Sequence, residues 1–285
     1  MSDRLVVSTR KGLFEVERRR GGDWRVAKGD FLGDNVTLWL HDPRSGHDYA
    51  VLNHGHFGVK LHRSKDEAWE EIAAPAYPPK PEGLVDRDGW GKDIPYNLIN
   101  IFSLEAGGVD IEGLLWCGTI PGGFFRSRDH GATWELIRPL WDDPKRQQWM
   151  GGGTEWPAIH SICVDPRDGA VVRIGVSCGG VWETRNGGDT WSCRAEGMFA
   201  AFMPPDMSRD PNVQDPHCLV QCPSAPTGCG SNITTESSAA TTALQAGGRS
   251  RTCRRPPSAS PSRSIRASPT PPGSFQRSRT NAGFR

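Results

Sequence analysis

The sequence predicts an all-β protein assembled from repeated antiparallel units of four strands. Three observations carry that prediction. An eight-residue phrase occurs twice, as SRDHGATW from Ser127 to Trp134 and as TRNGGDTW from Thr184 to Trp191. A strand, Asp-Pro-Arg, strand signature also occurs twice, in VTLWLHDPRSGHDYAVLN and in HSICVDPRDGAVVRIGV. Runs such as VVRIGV and GVWETR alternate with the period of a half-buried strand, and no convincing amphipathic helix competes with them.

The elements follow in order. Four glycines open strand-like runs that end in tryptophan: Gly12 to Trp24, Gly58 to Trp69, Gly122 to Trp134 and Gly179 to Trp191. The closing tryptophans stand 45, 65 and 57 residues apart. One complete unit therefore reads strand, Asp-Pro-Arg turn, strand, glycine turn, strand, acidic turn, strand. Units fall at about residues 5–29, 35–73, 97–137 and 158–196, and a fifth begins at VQDPHCLVQC. A four-stranded repeat of this length is the pattern of a β-propeller blade. One blade cannot bury both of its faces, so neighbours must stack on it. With four to five blades legible, the ring is expected to be incomplete.

The repeated phrase resembles the Asp-box, or BNR repeat, of sialidase-like and sortilin-like propellers. Its pattern is S/T-x-D/N-x-G-x-T-W, matched by Ser127, Asp129, Gly131, Thr133 and Trp134, and again by Thr184, Asn186, Gly188, Thr190 and Trp191. SKDEAW is a shortened relative and ERRRGGDW a trace, so the likeness covers roughly residues 5–220. Physically, Asp129 and Asn186 suit acceptors of turn N–H groups. Gly131 and Gly188 suit a positive φ. Trp134 and Trp191 are expected to fold back over the base of each hairpin. In the resembled families this turn sits on the outer rim, which makes it structural. Those families also include exo-acting glycoside hydrolases, which use an arginine cluster, an acid and a tyrosine nucleophile. That set does not map here: the FRIP motif is absent, and the only tyrosines are Tyr49, Tyr77 and Tyr96.

Composition adds boundaries. The net charge of +1 singles out no partner class. MSDRLVVSTRKG has no apolar core of a secretory signal, and no run approaches 18 apolar residues, so a cytoplasmic protein without a membrane span is expected. Cys117, Cys163, Cys178 and Cys193 sit in strand-like runs without zinc-type pairing and read as free thiols in a reducing compartment. All eleven tryptophans lie at or before Trp191. From Thr227 onward there are nine arginines, one acid (Glu236) and many Ser, Pro, Thr and Ala, a charge of about +8 that leaves the remainder near −7. The expected division is a partial propeller over 1–222 and a disordered tail over 223–285. No aromatics interleave the tail arginines, so nucleic acid is not the expected partner.

The tail also permits a reading in another frame. With chosen synonymous codons, Ser231 to Ala243 shifts to QHHNGIFRSDDG, a blade hairpin. Pro257 to Asn281 shifts to ERFAVAVHPREPDTAWFVPAIKDE, whose VAVHPREPDTAWFV mirrors ICVDPRDGAVVRIGV. A frameshift near Pro223 to Gly230 is the expectation.

Polar residues at strand exits supply the candidate site. Asn53, His54 and His56 lie in NHGHFG; two histidines at i, i+2 could share a metal, but no third ligand follows, so no metal or other cofactor is expected. Thr119 lies in CGTIPGGFF. Glu155 and His160 flank a glycine-rich loop, and Asp215 and His217 open the fifth unit; Glu155, His160 and Asp215 are candidates for acid–base work. The resulting expectation is a scaffold that binds a small-molecule or carbohydrate ligand, or a protein partner, at its central face. The alternative is an exo-acting, sialidase-like glycoside hydrolase.

Overall fold

The computed structural model describes residues 3–19, 21–64 and 68–221 in full, and the main chain alone of 65, 222, 225–233 and 242–245. Five antiparallel sheets follow one another along the chain. Sheet 1 holds β1 (Arg4–Thr9), β2 (Gly12–Arg18) and β3 (Trp24–Asp30). Sheet 2 holds β4 (Val36–Asp42), β5 (His47–Asn53), β6 (Val59–Lys65) and β7 (Ala68–Ile72). Sheet 3 holds β8 (Asn100–Ala106), β9 (Leu115–Ile120), β10 (Phe124–Ser127) and β11 (Glu135–Leu136). Sheet 4 holds β12 (Ile159–Asp165), β13 (Asp168–Val176), β14 (Gly180–Thr184) and β15 (Ser192–Cys193). Sheet 5 holds β16 (Pro216–Cys222), β17 (Ala225–Ile233) and β18 (Thr242–Gln245). Each strand pairs with its sequence neighbour, as short hairpins require. One four-residue α-helix, α1 (Arg138–Trp141), and three short 3-10 segments, Gly55–Phe57, Pro144–Gln148 and Pro211–Val213, interrupt the pattern among the described residues.

Strand alternation sends successive side chains to opposite faces, and each face meets a neighbouring sheet. On β9, Leu115 and Cys117 join Tyr49, Val51 and Leu61 of sheet 2. Trp116, between them, joins Ile159, Val172, Ile174 and Trp182 of sheet 4. Cys163 and Val181 then meet Leu219 of sheet 5, and Leu13 meets Val36, Ala50 and Leu52 between sheets 1 and 2. A fully buried side chain of this size contributes roughly 2 kcal/mol. The inner strands β4, β8, β12 and β16 pack in succession, so the sheets are the blades of an all-β propeller, and among the described residues the series does not close.

The boundary expected after residue 222 falls inside sheet 5. The main chain of β17 pairs with both β16 and β18, because ladder bonds require only backbone N–H and C=O groups. The rest of the 223–285 tail lies outside the described residues.

Sheet 1 differs from the others in phase. Thr9 pairs Gly12 across the β1–β2 turn as Val176 pairs Gly180 across the β13–β14 turn. Each of these turns also bonds the connection that leaves its sheet: Lys11 C=O accepts from Gly33 N–H, and Gly180 N–H donates to Gln214 C=O. β1, β2 and β3 therefore correspond to the second, third and fourth strands of a complete sheet. The innermost strand has no counterpart among the described residues.

Two turn types stitch one sheet to the next. In the Asp42–Arg44 turn, Asp42 accepts from Arg44 N, Nε and Nη2 at 3.0, 2.8 and 2.8 Å. The same guanidinium crosses to sheet 3 and donates to the carbonyls of Gly108, Ile111 and Leu114 at 2.7–2.9 Å. Asp165 and Arg167 repeat the internal geometry at 2.8–3.0 Å.

The repeated hairpins are the second type. Asp129 accepts from Thr133 N at 2.9 Å and from Thr133 Oγ1 at 2.6 Å. Asn186 Oδ1 accepts from Thr190 N at 2.9 Å, while its Nδ2 donates to Thr190 Oγ1 at 2.9 Å. The N–H groups of Gly131 and Gly188 donate to Ser127 Oγ and Thr184 Oγ1. Gly131 has φ +84°, and a Cβ there would lie 2.7 Å from Ile72 Cδ1 of sheet 2. The tryptophans reach further than the sequence suggests. Trp134 Nε1 donates to Ala73 C=O beyond sheet 2, and Trp191 meets Phe124 of sheet 3 edge-on at 5.6 Å.

Candidate functional site

Antiparallel order divides the turns between two ends of the stack. The Asp-Pro-Arg turns and the repeated hairpins share one end. At the opposite end lie the second-to-third strand turns and the connections that enter each innermost strand. All of Asn53, His54, His56, Thr119, Glu155, His160, Asp215 and His217 belong to this entry end.

A shared irregularity marks the entry end. The ladder of each innermost strand skips one residue near its start: Thr37 in β4, Phe102 in β8, His160 in β12 and His217 in β16. Such a bulge takes a residue out of the pairing and re-aims its side chain. Four blades thus place Thr37, Phe102, His160 and His217 at one level of the inner wall. Thr37, Phe102 and His217 are exposed, His160 half-buried. A cavity of about 260 Å³ is lined by Leu38, Phe102, His160, Ser161 and Leu219, which come from all four of these strands. Serines hold the strands together beneath it: Ser103 Oγ donates to Ile159 C=O at 2.7 Å, and Ser161 Oγ accepts from Leu219 N at 3.1 Å.

The structure brings His160, Asp215 and His217 together. Asp215 Oδ2 lies 3.4 Å from His217 Nε2, and its Oδ1 accepts from Cys178 N at 3.2 Å. Burial drives the His160 pKa down, with Asp215 opposing and His217 reinforcing the shift. His160 Nδ1 contacts Ser161 Oγ at 2.8 Å. Cys178 sits in the β13–β14 turn at φ +43°, a conformation uncommon outside glycine. Burial, reinforced by Asp215, pushes its thiol up to about 12, so it is not a poised nucleophile.

The other candidates stand apart from this cluster. The Glu155 carboxylate is 58% exposed and held by Lys92 at 3.3 Å. Thr119 is fully buried, 2.6 Å from Tyr77 OH and donating to Gly123 C=O, so it fastens the β9–β10 turn. Asn53 Oδ1 accepts from Gly55 N. His54 Nε2 lies 3.8 Å from Asp34, and His56 meets the exposed ring of Phe57. Among the described residues, no group of three or more His, Cys, Asp or Glu side chains is placed to hold a metal. None of the described helices is long and apolar enough to cross a membrane.

Sequence reasoning missed Thr37 and Phe102, and it read Cys178 as a strand residue where the structure places it in the β13–β14 turn. The bulge follows from ladder register, which no local pattern encodes. It also missed the apolar character of the entry end, where Leu32, Phe57, Val85, Trp90, Phe199 and Phe202 are exposed on connections and turns.

No family model matches the chain, and no curated protein matches it. Among solved structures, a GH74 enzyme of Niastella koreensis is similar at 17% identity and a TM-score of 0.47, over 82% of this chain and 32% of that one. YCF48 from Cyanidioschyzon merolae is similar at 12% identity and a TM-score of 0.46, over 81% of this chain and 61% of that one. A YCF48 bound to D1 peptide gives 14% and 0.45, over 81% and 58%. The chain thus spans about a third to three-fifths of the length of these proteins.

Proposed function

We propose that this propeller is a binding scaffold whose central entry face takes a protein partner. The observation that carries the reading is the row of bulge residues, Thr37, Phe102, His160 and His217, set among exposed aromatics on the surrounding connections. Exposed apolar side chains rimmed by polar groups mark association surfaces, and aromatic anchors dominate their energetics. Hydrolysis of a glycoside would require two carboxylates facing across one site at about 5–10 Å. Glu155 is instead paired with Lys92, and Asp215 is engaged by Cys178 and His217.

A peptide-display selection against the immobilised chain tests this reading. Enriched peptides should lose at least tenfold in affinity on Phe102→Ala or His217→Ala. Enrichment indifferent to both substitutions would overturn it, as would turnover of aryl glycosides that Glu155→Gln abolishes. We also infer that the chain from about Pro223 is read out of frame. Resequencing codons 220–232 tests that, and an in-frame gene with matching tail peptides would refute it.

A further inference from the structure

The geometry points to a specificity pocket in the inner wall, with the Glu105 carboxylate at its base, that takes a lysine side chain of the protein partner. This deepens the central-face reading and rests on it. The cavity of about 260 Å³ runs along β8 from Phe102 to Glu105. Pockets that enclose a whole small ligand begin at about 300 Å³, so this one suits a single side chain. Leu38, Phe102, Ile162 and Leu219 make its walls apolar. The hydroxyls of Ser103 and Ser161 also line it, but Ile159 C=O and Leu219 N already engage them.

Among the described residues that line the cavity, Glu105 alone carries a carboxyl group, and no lysine or arginine lines it. Its Oε1 accepts from Ala106 N at 3.2 Å. Burial pushes its pKa up, a backbone bond from Ala106 and the charge of Arg44 oppose that shift, and Asp42 adds to it. Arg44 is not free to pair with Glu105. Its Nε and one Nη2 hydrogen go to Asp42, and the other three N–H groups go to the carbonyls of Gly108, Ile111 and Leu114, which uses all five donors of a guanidinium. His160 shares the cavity and is held neutral by burial, so it adds no positive charge there near neutral pH. The wall thus holds a half-buried acceptor whose ionised form is left for an incoming cation to stabilise.

The shape of the cavity selects among cations. Phe102 stands nearer the entry end, and Glu105 lies three residues further along β8, about 10 Å of strand. A charge carried on a long apolar stem suits that arrangement. The four-carbon stem of lysine matches the walls of Leu38, Phe102 and Leu219, and its ammonium is a compact charge with three donors. Arginine fits less well, because its planar fork seeks both oxygens of a carboxylate and Ala106 N already holds one.

The test titrates the full chain with n-butylammonium, which is the lysine side chain alone, and with n-butanol, the same stem without the charge. Binding is followed by NMR of the Glu105 carboxyl carbon. Saturable amine binding that moves this resonance toward the ionised position is expected, with the alcohol at least tenfold weaker. Glu105→Gln should abolish the preference while its tryptophan fluorescence stays that of the parent, and Glu105→Asp, which keeps the charge but withdraws it, should weaken the amine several-fold. Equal binding of amine and alcohol, amine binding indifferent to Glu105→Gln, or tighter binding of n-butylguanidinium would overturn the proposal. Peptides that depend on Phe102 should contain a lysine whose replacement by norleucine costs at least tenfold in affinity. Phe102-dependent peptides without such a lysine would refute the pocket and leave the central-face reading standing. Amine binding in the absence of any Phe102-dependent peptide would refute the protein partner and, with it, the lysine donor.

Discussion

At residue scale the two hairpins answer one problem with different chemistry. Asp129 accepts from both the N–H and the hydroxyl of Thr133, whereas Asn186 accepts from Thr190 N–H and donates to its hydroxyl. A threonine hydroxyl both donates and accepts, so the turn tolerates either residue. Asn186→Asp should change stability by less than about 0.5 kcal/mol, whereas Asp129→Ala, which strands Thr133 and empties the turn, should cost about 1–2 kcal/mol in urea unfolding. Partial burial tends to raise the Asp129 pKa, but its bonds from Thr133 and Ser127 outweigh that and hold it below the usual carboxylate value. Its contribution is therefore present above the unfolded pKa and is lost as pH falls through the folded one. Gly131→Ala should cost more, about 2–4 kcal/mol, because a positive φ coincides with a 2.7 Å approach to Ile72. The turn chemistry was legible in eight letters. The contact with Ile72 was not, since it joins sheets whose spacing no local phrase records.

At the scale of elements, identical text acquires unequal weight from its surroundings. Asp-Pro-Arg builds the same internal fork at Asp42 and at Asp165. Yet the Arg44 side chain is 11% exposed and spans two sheets, while that of Arg167 is 57% exposed and, among the described residues, bonds Asp165 alone. Arg44→Ala would leave Asp42 fully buried without its guanidinium and free three carbonyls of the next sheet, a loss of about 3–5 kcal/mol. Arg167→Ala should cost about 1 kcal/mol or less, because solvent screens an exposed pair. Chemical denaturation of both variants measures the ratio, and equal losses would show that the bonds to sheet 3 contribute nothing. The strands themselves were readable from alternation and glycine turns. The phase of sheet 1 was not, because the glycine-to-tryptophan run that closes a unit occurs both in three-stranded sheet 1 and in the four-stranded sheets.

The whole molecule unites these elements into a stack with one polar-aromatic end, and that end sets its response to acid. His160 is held neutral by burial, against the opposing charge of Asp215 and with the repulsion of His217, and burial likewise lowers the pKa of His62. A histidine whose folded pKa lies below its unfolded value, near 6.5, binds protons more readily in the unfolded chain. Stability therefore falls as pH drops from about 7 toward the folded pKa values, and it is regained on returning to neutrality. Asp42, Asp165 and Glu183, all lowered despite burial because arginines face them, weaken the fold only in stronger acid, below the ordinary carboxylate range. Two separate acid limbs should thus appear when the urea midpoint is followed from pH 8 to pH 3. His160→Asn, which keeps a polar group beside Ser161 without a titrating ring, should shrink the upper limb and leave the lower one in place. A variant whose upper limb matches that of the parent would show that the protons are taken up elsewhere than at His160.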